Sequence, residues 1–169
     1  MRLTATCGFL ILFTAAAGAA EPLQRVRAID AALNALIEEG RTRSATFRGL
    51  VDRLEASDWF VFVQPGACPD RAAIGCLMHV VGVFEKRRYV RLLVKPEGRH
   101  PDQVLVILAH ELQHALEVVT DGGVTDGPSM IALMRRISSS RFRTSKAAIY
   151  ETAEARRVED AVFRELRRR

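Results

Sequence analysis

The run from Pro101 to Thr120 constrains the fold of this chain more than any other segment. It is apolar nearly throughout, opens on a proline, stops before Gly122-Gly123, and is interrupted by His110-Glu111-Leu112-Gln113-His114. Proline at the first helical position and glycine just past the last are the expected ends of a helix. At about 100° per residue, Leu105, Leu108, Leu112, Leu116 and Val119 share one stripe, and His110, His114 and Glu117 take the opposite side. An aliphatic face for a core and a histidine face for a cleft suit a metal site.

Two histidines four apart on a helix project from one face, and zinc takes imidazole nitrogen at about 2.0–2.1 Å. Glu111 falls roughly 100° around the helix from His110, beside an ion rather than on it. A general base belongs there, within reach of metal-activated water. On a helix, H-E-x-x-H is the arrangement zinc-dependent peptidases use. The bland alternative, two histidines and a glutamate on a solvated face, is disfavoured by the helix that carries them.

A catalytic zinc commonly takes three protein ligands and leaves one position for water. Glu117 lies seven residues from His110, about 10 Å along the axis, which suits a supporting role better than ligation. Asp121 and Asp126 sit among glycines and read as turn residues. Glu151 is the stronger candidate. In a final helix expected near 146–167, Ala155, Val158, Val162 and Leu166 form an apolar stripe, and Glu151 falls on it one turn earlier. A carboxylate aimed at a core is costly unless something compensates it, and a zinc ion would. Glu154, about 60° off the stripe, is the fallback ligand or a partner for a histidine.

Elsewhere the pattern predicts helices over 23–39, stopped by Gly40, and over about 44–56. A short strand follows at Trp59–Val63, then paired strands at Leu77–Phe84 and Arg88–Val94 around a turn near Glu85-Lys86. A short helix is expected near 129–138. The predicted class is α+β, with N-terminal helices, a small antiparallel sheet, the H-E-x-x-H helix and a C-terminal helix carrying the third ligand.

Residues 1–20 read as a secretory signal peptide: Arg2, an apolar core from Gly8 to Phe13, and the small residues Ala17-Gly18-Ala19-Ala20. Residues 21–169 then form a single domain, exported to a periplasm or beyond, with no further stretch long enough to span a membrane. In that setting Cys68 and Cys76 read as a disulfide. The formal charge is +5, and loss of Arg2 leaves +4. Much of the excess is Arg164 and Arg167-Arg168-Arg169, where basic residues suit a helix end. No exposed aromatics interleaved with basic residues are visible in the sequence, so a nucleic-acid partner is not expected.

The HELQH helix followed by a glutamate in YETAEA resembles the gluzincin branch of the zincin metallopeptidases. It is particularly similar to small exported bacterial proteins with a LAHELQHALE helix and a terminal YET helix. The likeness covers roughly residues 76–166. It implies a minimal zincin-like domain with His110, His114 and Glu151 as Zn2+ ligands and Glu111 as general base. One position departs from it: thermolysin-like enzymes carry an acidic residue four after the ligand glutamate, and here that is Ala155. Support for the histidines then falls to Glu154 or Glu117. Gly75-Cys76-Leu77 is faintly similar to peptide deformylases, whose third ligand is a cysteine, but their spaced-glycine motif is missing.

The expected function is an exported zinc peptidase acting on a peptide or protein, with a substrate chain along a strand edge of the 77–94 hairpin. Candidate oxyanion donors are Tyr150, His79, His100 and Arg91, with Tyr150 favoured by its position beside Glu151, although an ordinary half-buried tyrosine explains it as well. The alternative is a non-catalytic exported binding domain stabilised by zinc, or an inactive pseudo-peptidase.

Overall fold

The computed structural model describes residues 24–143 and 148–168, and the signal-peptide expectation over 1–20 lies outside them. The chain enters through a short strand, β1 (Val26–Ala28), in which Val26 and Ala28 point inward. The sequence expectation ran a helix through these residues, because Val26 also fits a helical stripe. Pairing with a distant strand overrides that local pattern. Glu55, at the end of the second helix, accepts hydrogen bonds from the backbone of Arg25 and Val26 at 2.8 and 2.9 Å.

The first helix, α1 (Ala31–Arg43), starts at Asp30, whose side chain accepts from the Leu33 amide. It continues through Gly40 rather than stopping there. A Cβ at Gly40 would meet Leu105 at 2.7 Å and Phe47 at 2.9 Å, so glycine lets the next two helices close on the first. One residue, Ser44, ends α1 and caps α2 (Ala45–Glu55). Its hydroxyl takes the Phe47 amide at 3.0 Å and donates to Glu165 at 2.6 Å.

Buried and half-exposed side chains alternate along the three core strands, the pattern of a sheet covered on one face. β2 (Phe60–Pro65) runs parallel to β1 on one side and to β5 (Arg87–Val94) on the other, in the order β1-β2-β5. On the far edge of β5 lie β3 (Gly75–Leu77) and β4 (Gly82–Phe84), both antiparallel to it. The sheet is therefore mixed, which corrects the expectation of an antiparallel one. The β4–β5 hairpin turns at Glu85 and Lys86, as the sequence predicts, with φ of 47° and 65°.

Helix α3 (Pro101–Thr120) then crosses the inner face of the sheet. It is followed by α4 (Gly127–Ile137), by the hairpin β6 (Ser140–Arg143) and β7 (Ala148–Glu151), and by α5 (Ala153–Leu166). The result is α+β, as expected. α3 is buried on nearly every side: Leu105, Leu108, Leu112 and Leu116 join the core, and so do Val104, Ala109, Ala115 and Val118. It packs chiefly on α5, and also on α2, β3 and β5. A stripe of five apolar side chains underestimated this, because two further layers cover the helix.

The final helix begins later than its sequence pattern implies. Ala155, Val158, Val162 and Leu166 are its buried stripe, but Thr152 is its cap and Glu151 ends the preceding strand. The carboxylate expected on the C-terminal helix is thus delivered by β7.

Candidate metal centre

His110 and His114 lie one turn apart on α3, and both are buried. Their rings meet edge to face, and the two Nε2 atoms are 3.1 Å apart. Glu151 brings Oε1 to 3.3 Å from His110 Nε2. One ligand atom from each of the three residues lies within 4.8 Å of the other two. Tetrahedral coordination at about 2.05 Å places ligand atoms roughly 3.3 Å apart, so the His110 distances fit a zinc ion.

The outer nitrogens make the case stronger. His110 Nδ1 meets Glu159 Oε2 at 2.8 Å, and His114 Nδ1 meets Glu117 Oε2 at 3.0 Å. A carboxylate facing an imidazole nitrogen calls for a proton on that nitrogen. With both Nδ1 atoms donating outward, a neutral pair turns two Nε2 lone pairs toward each other at 3.1 Å. A shared cation, metal or proton, relieves that clash. Burial alone pulls the His110 pKa down. Hydrogen bonds to Glu151 and Glu159, with the charges of Glu111 and Glu151, outweigh it and raise the value to about 9. The hydrogen bond to His110 in turn holds Glu151 down at about 2 despite its partial burial. The cluster stabilises positive charge at its centre.

Several contacts fix the ligands. The Glu151 carbonyl accepts from the Ser139 amide at 2.8 Å and from the Ser138 and Ser139 hydroxyls at 2.9 and 3.1 Å. Its second carboxylate oxygen accepts from Arg156 Nε at 3.1 Å. Thr152, capping α5, donates its hydroxyl to Glu117 Oε1 at 2.7 Å, which ties the start of α5 to the carboxylate behind His114.

Glu111 turns from the ligands toward β3, where Oε2 accepts the Leu77 amide at 2.8 Å. Burial raises its pKa above the ordinary carboxylate range, against the opposing pull of both histidines. β3 comes this close because residue 75 is glycine: a Cβ there would lie 2.6 Å from Ile107 and 3.1 Å from the Glu111 side chain. An open cleft of about 580 Å3 lies above, walled by residues 68–80 on one side and by Met134, Tyr150 and Glu151 on the other.

The other expected residues divide clearly. Tyr150 lines the cleft, and its hydroxyl accepts from Arg135 Nε at 3.3 Å, which leaves its own proton to donate. His79 also lines the cleft, 5.4 Å from the Tyr150 ring, and burial lowers its pKa, which favours the neutral imidazole. His100 caps α3 and is exposed, and Arg91 lies on the sheet face turned away from α3; neither reaches the cleft. Glu154 is solvent-exposed and paired with Arg157, so its suggested roles as ligand or support fail. Asp121 pairs with Arg136 and Asp126 caps α4. Cys68 and Cys76 stand within disulfide distance, their Cα atoms 6.0 Å apart, on the wall of the cleft and outside the three-residue cluster.

Glu159 is the residue the sequence reading missed. A half-exposed glutamate on a charged helix face reads as solvated. Its signal was its place four residues after Ala155, which keeps it near the buried stripe. Comparisons with protein-family models, curated proteins and solved structures find no match to this chain.

Proposed function

We propose that this chain is an exported zinc peptidase of zincin type, in which His110, His114 and Glu151 hold the ion. The observation that carries the reading is the convergence of two Nε2 atoms and a carboxylate oxygen on one point, with a carboxylate behind each imidazole. A zinc ion bound there supplies a Lewis acid that lowers the pKa of water and polarises a carbonyl.

The chain's own residues do the rest. Glu111 takes a proton at its carboxylate and returns it to the leaving amine; its raised pKa brings it closer to the range such exchange needs. The Leu77 amide orients that carboxylate through one oxygen and leaves the other for the reacting proton. The Tyr150 hydroxyl, already accepting from Arg135, is the available donor to a developing oxyanion. A closed structural site needs four protein ligands. Glu117 and Glu159 are engaged at the outer Nδ1 atoms, and Glu111 is held toward β3, which favours a catalytic over a purely structural centre.

The test pairs metal content with turnover. Purified protein should carry about one zinc per chain, and Glu111→Gln should keep the zinc while losing cleavage of an unstructured protein substrate. Undiminished turnover in Glu111→Gln, or zinc-free protein after reconstitution, rejects the proposal.

A further inference from the structure

The helices that pack chiefly on the sheet are α1, α2 and α3, over the face where the strand side chains are buried; the side chains of the other face are half-buried or exposed. Strand register sorts the outward side chains into rows. Arg27, Phe62 and Arg91 are neighbours across β1, β2 and β5; Phe60 stands beside Tyr89, and Phe84 beside Arg87. Arg27 lies over Phe62 and Phe60 at 5.1 and 5.6 Å, and Arg87 over Phe60 at 5.8 Å. Phe60 and Phe62 stack at 6.0 Å, and Tyr89 meets Phe62 edge-on at 5.5 Å.

Three properties of this face bear on its use. No outward residue of β1, β2, β4 or β5 is acidic, and Asp30 and Glu85 lie beyond the strand ends. Arg27, Arg87 and Arg91 have no carboxylate partner among the described residues, and the Arg27 and Arg87 guanidinium groups lie against aromatic rings instead. At its two margins stand Ile29, 72% exposed, and Phe84, 69% exposed. Uncompensated arginines call for an anionic partner. Exposed aliphatic and aromatic side chains beside them call for one with an apolar layer just below its charge. A nucleic acid offers nothing to an exposed isoleucine, and arginines already lie over the Phe60 and Phe62 rings on which bases would stack.

We propose that this face docks on an anionic phospholipid surface, with Arg27, Arg87 and Arg91 at the headgroups and Ile29 and Phe84 entering the interface. Among the described residues no helix is long and apolar enough to cross a membrane, so the contact is peripheral. It lies on the opposite side of the sheet from α3 and stands or falls independently of the metal centre.

The test is sedimentation of the purified protein with vesicles of phosphatidylcholine alone or with one-third phosphatidylglycerol. Each arginine near an anionic surface contributes roughly five-fold to partitioning, so the triple variant Arg27→Gln/Arg87→Gln/Arg91→Gln should lose roughly 100-fold at low salt. Ile29→Ser/Phe84→Ser should weaken binding while keeping its dependence on phosphatidylglycerol and salt. Circular dichroism and the unfolding midpoint check that each variant is folded, and glutamine removes the charge while keeping a polar side chain. Equal partition onto neutral and anionic vesicles overturns the proposal, as does a folded triple variant that binds like the parent. So does tighter binding to a thymidine oligonucleotide than to the vesicles.

Discussion

The carboxylates behind the two histidines offer a graded test of the metal centre. Glu117 is 12% exposed at its side chain and also holds Thr152, whereas Glu159 is 42% exposed and, among the described residues, hydrogen-bonds to His110 alone. Removing such a partner costs zinc affinity about 10- to 100-fold, or roughly 1.4 to 2.8 kcal/mol. Solvent screens the better-exposed charge, so Glu159→Ala should fall near 10-fold and Glu117→Ala near 100-fold. Competition against a chromophoric zinc chelator at pH 7 measures both, with the unfolding midpoint of the metal-free variants as a control for folding. Parent affinity in a folded Glu117→Ala variant, or the reverse order of effects, would refute the reasoning from hydrogen bond to metal.

The remaining expectations concern the scaffold. Glu165 accepts from Ser44, Thr46 and the Thr46 amide, and these bonds lower its pKa in spite of the desolvation that opposes them. Its contribution is therefore present above about pH 4.5 and fades as pH falls through the lower folded value; Glu165→Ala should cost about 1 kcal/mol at pH 7 and less in acid, by urea titration. Glu85 and Lys86 both hold positive φ, so Glu85→Asn/Lys86→Gly should stabilise the hairpin by about 1 kcal/mol, read as a higher midpoint. An unchanged or lower midpoint would contradict that. Oxidised protein should exceed the Cys68→Ser/Cys76→Ser variant by about 2.5 kcal/mol in denaturant titrations, and a thiol count of two in unreduced protein would show that the bridge is absent.

What could be read in advance was set by how local the cause is. The ends of α3 are written in Pro101 and Gly122, and the histidine spacing follows from helix geometry alone. The hairpin turn was legible because strand pattern resumes on both sides of Glu85-Lys86. Gly40 was misread as a stop because its reason, clearance for Leu105 and Phe47, lies in other parts of the chain. The parallel pairing of β2 with β5 was hidden for the same cause, since a run such as Phe-Val-Phe-Val does not name its partner's direction. Glu151 was found through the wrong element: its spacing to Ala155 suits a helix, yet three hydrogen bonds to its carbonyl from Ser138 and Ser139 hold it at a strand end. The aromatic and arginine rows of the open sheet face were invisible because they are assembled from three strands far apart in sequence.

The hydroxyl of Thr152 links the helix start that carries it to the carboxylate behind His114. The histidine pair and Glu151 arrive on segments joined by all of α4 and the β6–β7 hairpin, so a bound ion would act as a clasp closing that long excursion. Half of the clasp has little grip alone: a chain folded only as far as α3 offers two imidazoles and no anionic ligand. Metal uptake would then report that β7 has reached α3, and release of the ion would accompany its departure.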